Sequence, residues 1–270
     1  MNNMKINAIY QQYIPKGYSI ASEVCSGGYP DENDCSWYHG NWMLLRYLGV
    51  VSNPYWHEAF YKEALQNIGA SGKEYVLVAG TADFSMPLLC SESNISKVYI
   101  CDKCATPLKI CNLVSQFLGC DWQTFIQDVC SEFPVKYDVI INDAFLSRFT
   151  EKDKPLIGIY NGLKQGGYYI TTLKKGRRNS GGDVSDLVRA HFMHKVSERY
   201  NKNKDVLPDL DIDAISSTYV DKMSSFPVEN ENEIYALFKK IGLNILQIEH
   251  GTVEGEFEAS EYFRVVSQKN

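Results

Sequence analysis

Tyr75-Val-Leu-Val-Ala-Gly-Thr-Ala-Asp-Phe-Ser85 is the stretch on which the fold of this chain turns. An apolar run ends in a glycine and a helix-forming segment follows; Lys97-Val-Tyr-Ile-Cys-Asp102 then supplies a second apolar run that closes on a carboxylate. A buried strand, a glycine turn, a helix and a second strand with a terminal acid about twenty residues on make the pattern of a nucleotide-binding βαβ unit. In such a unit Gly80, lacking a Cβ, lets the backbone approach a ligand, and the next helix aims its N-terminal amides into the same crevice. Asp102, at the end of the second strand, can accept hydrogen bonds from both hydroxyls of a ribose.

Outward from this unit, strands are expected at Tyr75–Ala79, Lys97–Cys101, Trp122–Ile126, Tyr137–Ile141 and Gly167–Leu173, with helices near 85–93, 105–119 and 152–164. That alternation requires a parallel sheet covered on both faces. A helix over Asn232–Ile241 precedes two further strands, Leu243–Glu249 and Ser260–Ser267, whose Gly251 to Gly255 connection predicts antiparallel pairing. Residues 1–70 read as a helical cap, with helices over Cys35–Leu48 and Pro54–Ile68 separated by Ser52-Asn-Pro54. Residues 71–270 form the sheet domain. It is interrupted by an insertion over about 175–230 that opens with the basic loop 174–182 and continues as a helix capped by Asp183, with Val184, Leu187, Val188, Phe192 and Val196 on one face.

Composition narrows the function. The chain has 270 residues, 44% hydrophobic and 13% aromatic, and no run of about 18 apolar residues that would span a bilayer. Thirty-three acids against 27 bases give a net charge of −6, which disfavours a nucleic-acid partner. The expected setting is the cytoplasm, with a small-molecule substrate, no membrane partner, and a monomer or homodimer. The eight cysteines sit mostly in or beside apolar runs, as reduced, buried thiols do. Cys101-Asp-Lys-Cys104 has the spacing of a zinc knuckle that Cys111 and Cys120 could complete. Because Cys101 ends a strand and Cys104 starts a helix beside the ribose acid, no metal is expected there.

With these residues in place, the chain resembles the class I S-adenosylmethionine (SAM)-dependent methyltransferases over roughly 70–175 and the two-strand tail. The resemblance implies a doubly wound α/β fold. Its seven-stranded sheet is mostly parallel with the last strand antiparallel, and SAM lies across the carboxyl ends of the first strands. Val76–Phe84 resembles the glycine-rich first motif, Asp102 with Pro107 and Leu108 the ribose-binding strand end, and Gln127-Asp128 the adenine-side acid. Tyr137–Phe145 resembles the fourth motif, and Leu163–Tyr169 the turn into the fifth strand. The resemblance therefore implies Gly80, Thr81, Ala82, Asp83, Asp102, Lys103, Asp128, Val129, Asn142 and Phe145 as the cofactor site. The chain departs from the pattern by keeping only Gly80 of the usual glycines and by carrying Val78 where an acid is common, so Asp83 or backbone carbonyls are expected to hold the methionine amino group.

Polar residues that end an apolar strand on the ligand face make Asn142 and Asp143 the leading catalytic candidates. Ser36-Trp-Tyr-His-Gly-Asn-Trp-Met-Leu-Leu-Arg46 is dense in aromatic and polar tips, and reads equally as a docked helix or as a lid. As a lid it offers Tyr38 and His39 for catalysis and Trp37, Trp42 and Arg46 for substrate, with aromatic faces toward a sulfonium. His57 reads as packing against the sheet, and His191 and His194 as a solvated pair. Methyl transfer to a small N- or O-nucleophile is the leading expectation. The alternatives are attack on the aminobutyrate chain of SAM with release of methylthioadenosine, and a non-catalytic SAM-binding module. A nicotinamide-linked dehydrogenase fits less well, because one glycine suits pyrophosphate poorly.

Overall fold

The protein is described by a computed structural model over residues 3–25, 35–176, 185–254 and 259–270. The cap comprises α1 (Asn3–Val24), α2 (Ser36–Tyr47) and, after a 3₁₀ turn at Pro54–His57, α3 (Glu58–Asn67). Then come β1 (Val76–Ala79), α4 (Ser85–Glu92), β2 (Lys97–Asp102), α5 (Ala105–Leu118), β3 (Asp121–Ile126), β4 (Tyr137–Ile141), α6 (Asp153–Gly162) and β5 (Leu163–Lys174). The insertion contributes α7 (Asp186–Lys202) and α8 (Ile212–Lys222), and α9 (Glu231–Ile241), β6 (Leu243–Glu254) and β7 (Ala259–Lys269) follow.

The seven strands lie in the order β3-β2-β1-β4-β5-β7-β6. The first five are parallel, and β7 runs antiparallel to both β5 and β6. All four residues of β1 are buried, as expected of a central strand with both faces covered. Its alternation separates two cores: Val76 and Val78 face one, Leu77 and Ala79 the other. The first core is shared with α1, α2, α3, α4, α5, α7 and α8, and the second with α6 and α9. Cap and insertion therefore cover the same face of the sheet and pack into one continuous interior.

Two expectations for the insertion need correction. Asp183 and Val184 lie outside the described residues, and α7 is capped by Ser185, whose hydroxyl accepts the Val188 amide at 3.4 Å. Leu187 is 82% exposed, so the buried face of α7 is carried by Phe192, Val196 and Tyr200. The reason is a second helix: Phe192 stacks on Tyr219 of α8 at 5.0 Å, and α8 sets that contact near the middle of α7. Among the described residues, no helix is long and apolar enough to cross a membrane.

Candidate active site

A cleft of about 670 Å³, including open solvent, sits at the carboxyl ends of β1, β4 and β5. Its floor is Gly80–Ala82 and Asn142–Phe145; α2 contributes Tyr38, Trp42 and Arg46, and the segment after α8 contributes Met223 and Ser225. Strand ends of an open α/β sheet are where such folds place ligands, because loops diverge there and leave a crevice.

Asn142 and Asp143 are held from neighbouring elements. The Asn142 side chain is 1% exposed, and its Oδ1 accepts the hydroxyls of Thr171 at 2.6 Å and Tyr169 at 3.1 Å. Its Nδ2 is buried without a partner among the described residues, as is Nε1 of Trp42. A buried donor left unpaired costs about 1–3 kcal/mol, which a ligand acceptor would return. Asp143 accepts Thr172 Oγ1 at 2.8 Å and Ser52 Oγ at 3.0 Å, with the Tyr61 hydroxyl 3.0 Å away. Ala144 adopts a left-handed φ of 50°, costly for a residue with a Cβ, and its amide donates to Thr172 Oγ1 at 3.0 Å. Tyr61, Thr171 and Thr172 thus clamp the turn. Thr171-Thr172, near the end of an apolar strand, carries in the sequence the same signal as Asn142-Asp143, whereas Tyr61 carries none.

Gly80 has a left-handed φ of 72°, and an added Cβ there would collide with the ring of Phe145, whose Cζ would lie 2.9 Å away. The absent Cβ is filled by Phe145, which packs over the turn. Asp83 is not available to a ligand. It is fully buried and paired with Arg46 at 2.7 Å, with the Ser85 amide at 2.8 Å and the Tyr10 hydroxyl at 3.4 Å. Arg46 also donates to the Ser52 carbonyl at 2.9 Å and the Ser85 hydroxyl at 2.6 Å. These two residues brace α2 against the first turn; Asp83 is therefore not the free amino-group ligand expected, while Arg46 keeps a place on the cleft lining.

Tyr38 lines the cleft and stacks on Trp42 at 4.4 Å. Burial pushes its hydroxyl up to about 12, so it stays protonated at neutral pH. His39, expected to be catalytic, is turned away: it lies outside the cleft lining, with Nδ1 3.5 Å from Cys25 Sγ. Trp37 is likewise off the cleft, its ring 5.8 Å from the Lys222 ammonium. Asp102 accepts the Cys104 amide at 2.8 Å, and burial raises its carboxyl to about 6. Asp128 spends Oδ1 on the Cys130 amide at 2.8 Å and faces Lys103 at 4.0 Å. Val129 is core. His57 is buried against the Tyr262 ring at 4.7 Å, and burial lowers its imidazole to about 4.

No family model matches the chain, and no curated protein matches it in sequence. Solved structures match it in fold. One is a SAM-dependent methyltransferase from Methanosarcina mazei, at TM-score 0.52 and 14% identity over 76% of this chain and 96% of that one. The fold is that of the class I SAM-dependent methyltransferases. The same fold appears in the [4+2]-cyclase SpnF, at TM-score 0.54 and 12% identity over 98% of this chain and 94% of that one. It appears again in a protein described with the conversion of a disulfide bond into a thioacetal group during echinomycin biosynthesis, at TM-score 0.51 and 13% identity over 78% and 80% of the two chains. Set in the methyltransferase fold, the cleft lies beside β1 and β4, and Asp102 marks the end of the adjacent β2.

Proposed function

We propose that this chain is a SAM-dependent methyltransferase acting on an N- or O-nucleophile of a small molecule by in-line displacement. The observation that carries the reading is the pair of orphaned buried donors, Asn142 Nδ2 and Trp42 Nε1, on a cleft floored by the first and fourth strand ends. Those donors, the aromatic faces of Tyr38 and Trp42 and the Asp143 carboxylate fit a ligand that is cationic and rich in acceptors.

Bound SAM supplies a methyl group already activated by the sulfonium charge. The residues of the chain supply position and dryness. Asp102 would hold the ribose, the Gly80–Ala82 main chain and the Asn142 amide the rest of the cofactor, and Asp143 would balance positive charge. Tyr38 would orient the acceptor by donating its hydroxyl. A small acceptor is favoured because α2 and the segment after α8 line the cleft together with the strand ends, and the net charge of −6 disfavours nucleic acid.

The test is calorimetric titration with SAM and S-adenosylhomocysteine, then mass spectrometry with a panel of small amines and phenols. Binding, with acceptor-dependent release of S-adenosylhomocysteine, is expected, and Asn142→Ala is expected to weaken binding about tenfold. Absence of binding to either compound sinks the proposal. One observation favours a second reading. With Asp83 committed to Arg46, the first turn has no free acid for the methionine amino group, so the aminobutyrate chain has freedom to react. Methylthioadenosine from SAM alone would select that chemistry.

A further inference from the structure

Four residues that the cleft does not use converge at the seam between cap and sheet. Cys25 follows the last turn of α1, Cys35 is the N-cap residue of α2, His39 lies in the first turns of α2, and Cys104 is the N-cap residue of α5, two residues beyond Asp102. The three thiol sulfurs and the imidazole nitrogen all lie within 4.8 Å of one another. Cys25 Sγ is 3.7 Å from Cys104 Sγ and 3.5 Å from His39 Nδ1, and Cys35 Sγ is 3.9 Å from Cys104 Sγ.

These three separations match edges of a zinc tetrahedron. A Zn–S bond of about 2.3 Å and tetrahedral angles require sulfurs about 3.8 Å apart, and a Zn–N bond of about 2.0 Å brings sulfur and nitrogen to about 3.5 Å. His39 is 6% exposed and Cys104 8%, while Cys25 and Cys35 are half-buried, so the group is shielded yet reachable by an ion. The Thr106 hydroxyl stands 3.0 Å from Cys25 Sγ, an outer-shell hydrogen bond of the kind that steadies thiolate ligands. Cys101 and Cys111 face opposite cores of the sheet, so the knuckle suggested by the Cys101 to Cys104 spacing does not assemble.

We propose that Cys25, Cys35, His39 and Cys104 bind one zinc ion in a closed, four-ligand structural site that pins the cap to the end of β2. Three thiols and one imidazole select zinc over hard cations, and four protein ligands leave no open position for catalysis. Binding displaces the three thiol protons to solvent, with no change of oxidation state. The ion fixes the start of α2, so Tyr38 and Trp42, on either side of His39 in sequence, take up their places on the cleft. It also ties them to Asp102, which holds the Cys104 amide. The site stands whatever reaction the cleft performs.

The experiment is elemental analysis of the whole chain purified under reducing conditions, with cobalt(II) substitution of the metal-free protein. One zinc per chain is expected, together with the intense visible ligand-field bands and near-ultraviolet thiolate charge transfer of tetrahedral cobalt. Cys104→Ser should lose the zinc, whereas Cys120→Ser and Cys130→Ser should keep it. Should Cys104→Ser fail to fold, the zinc content and cobalt spectrum of the unaltered chain still decide. Absence of both zinc and the tetrahedral spectrum overturns the proposal. So does loss of metal in Cys120→Ser, or a Cys25–Cys35 disulfide found by mass spectrometry in freshly purified protein.

Discussion

Replacing Arg46 by Met tests how α2 is anchored. The guanidinium is 7% exposed, pairs with a fully buried Asp83 at 2.7 Å, and also serves the Ser52 carbonyl and the Ser85 hydroxyl. Arg46→Met fills the volume but leaves a carboxylate in the interior with only the Ser85 amide and a long contact from Tyr10. Breaking a buried pair from one side costs about 3–5 kcal/mol, because the remaining charge has lost its counterion without regaining water. For a chain of this size each kcal/mol moves Tm by about 2–4 °C, so a fall of about 10 °C is expected. Urea denaturation of wild type, Arg46→Met, Asp83→Asn and the double variant forms a cycle. The double variant should be less destabilised than the sum of the singles by about 2 kcal/mol or more, since it removes the stranded charge. Additive losses, or less than about 1 kcal/mol for Arg46→Met, would refute the account of a tight interior pair.

His57 gives a pH prediction. Burial lowers its imidazole to about 4 against an ordinary value near 6.5, so the unfolded chain binds a proton that the native chain refuses between those values. Its contribution to stability is complete above pH ~6.5 and declines as pH falls toward 4, by about 3 kcal/mol in all. Asp102, raised to about 6, titrates with the opposite sign in an overlapping window, so the comparison must be between wild type and His57→Gln. Wild type should lose more stability than the variant on acidification from pH 7 to pH 4.5, and parallel curves would contradict the assignment. Gly80→Ala adds a Cβ against the Phe145 ring at a left-handed φ, and is expected to destabilise by more than 2 kcal/mol. Phe145→Ala in that background should restore part of the loss in a thermal melt. Gly158→Ala in α6 would place a Cβ on the Val129 carbonyl oxygen, a backbone atom that cannot step aside, and is expected to cost several kcal/mol or to prevent soluble expression.

The sheet is readable because its central strands are apolar on both faces and its helices are periodic. Val76–Ala79, Lys97–Asp102 and Tyr137–Ile141 announce themselves without tertiary information. α1 was not delimited, since Pro15 lies within a run of mixed polarity, and only the shared core shows why Ile6, Tyr10 and Ile14 face inward. α8 went unmarked for a similar reason. Its partners are Trp42 and Phe192, distant in sequence. At the site, strand-end polarity pointed to Asn142 and Asp143, but Asp83 looked free because its partner Arg46 lies 37 residues away on another helix. His39 looked catalytic for the same reason. Cys35 stands four residues before it on the same helix, but Cys25 and Cys104 come from separate segments, and no local spacing records their arrival.

β7 lies between β5 and β6, pairing with Tyr168–Lys174 on one side and with Leu243–Glu254 on the other. It is the last of the seven strands to be synthesised, yet it is the one that joins β6 to the rest. A ribosome that has not yet released residues 259–269 therefore holds a chain whose β5 ends as an open, apolar rim and whose β6 has no neighbour. Such an unfinished edge invites pairing with other chains. A chain cut before residue 259 would be an adhesive product, not a shortened version of the molecule.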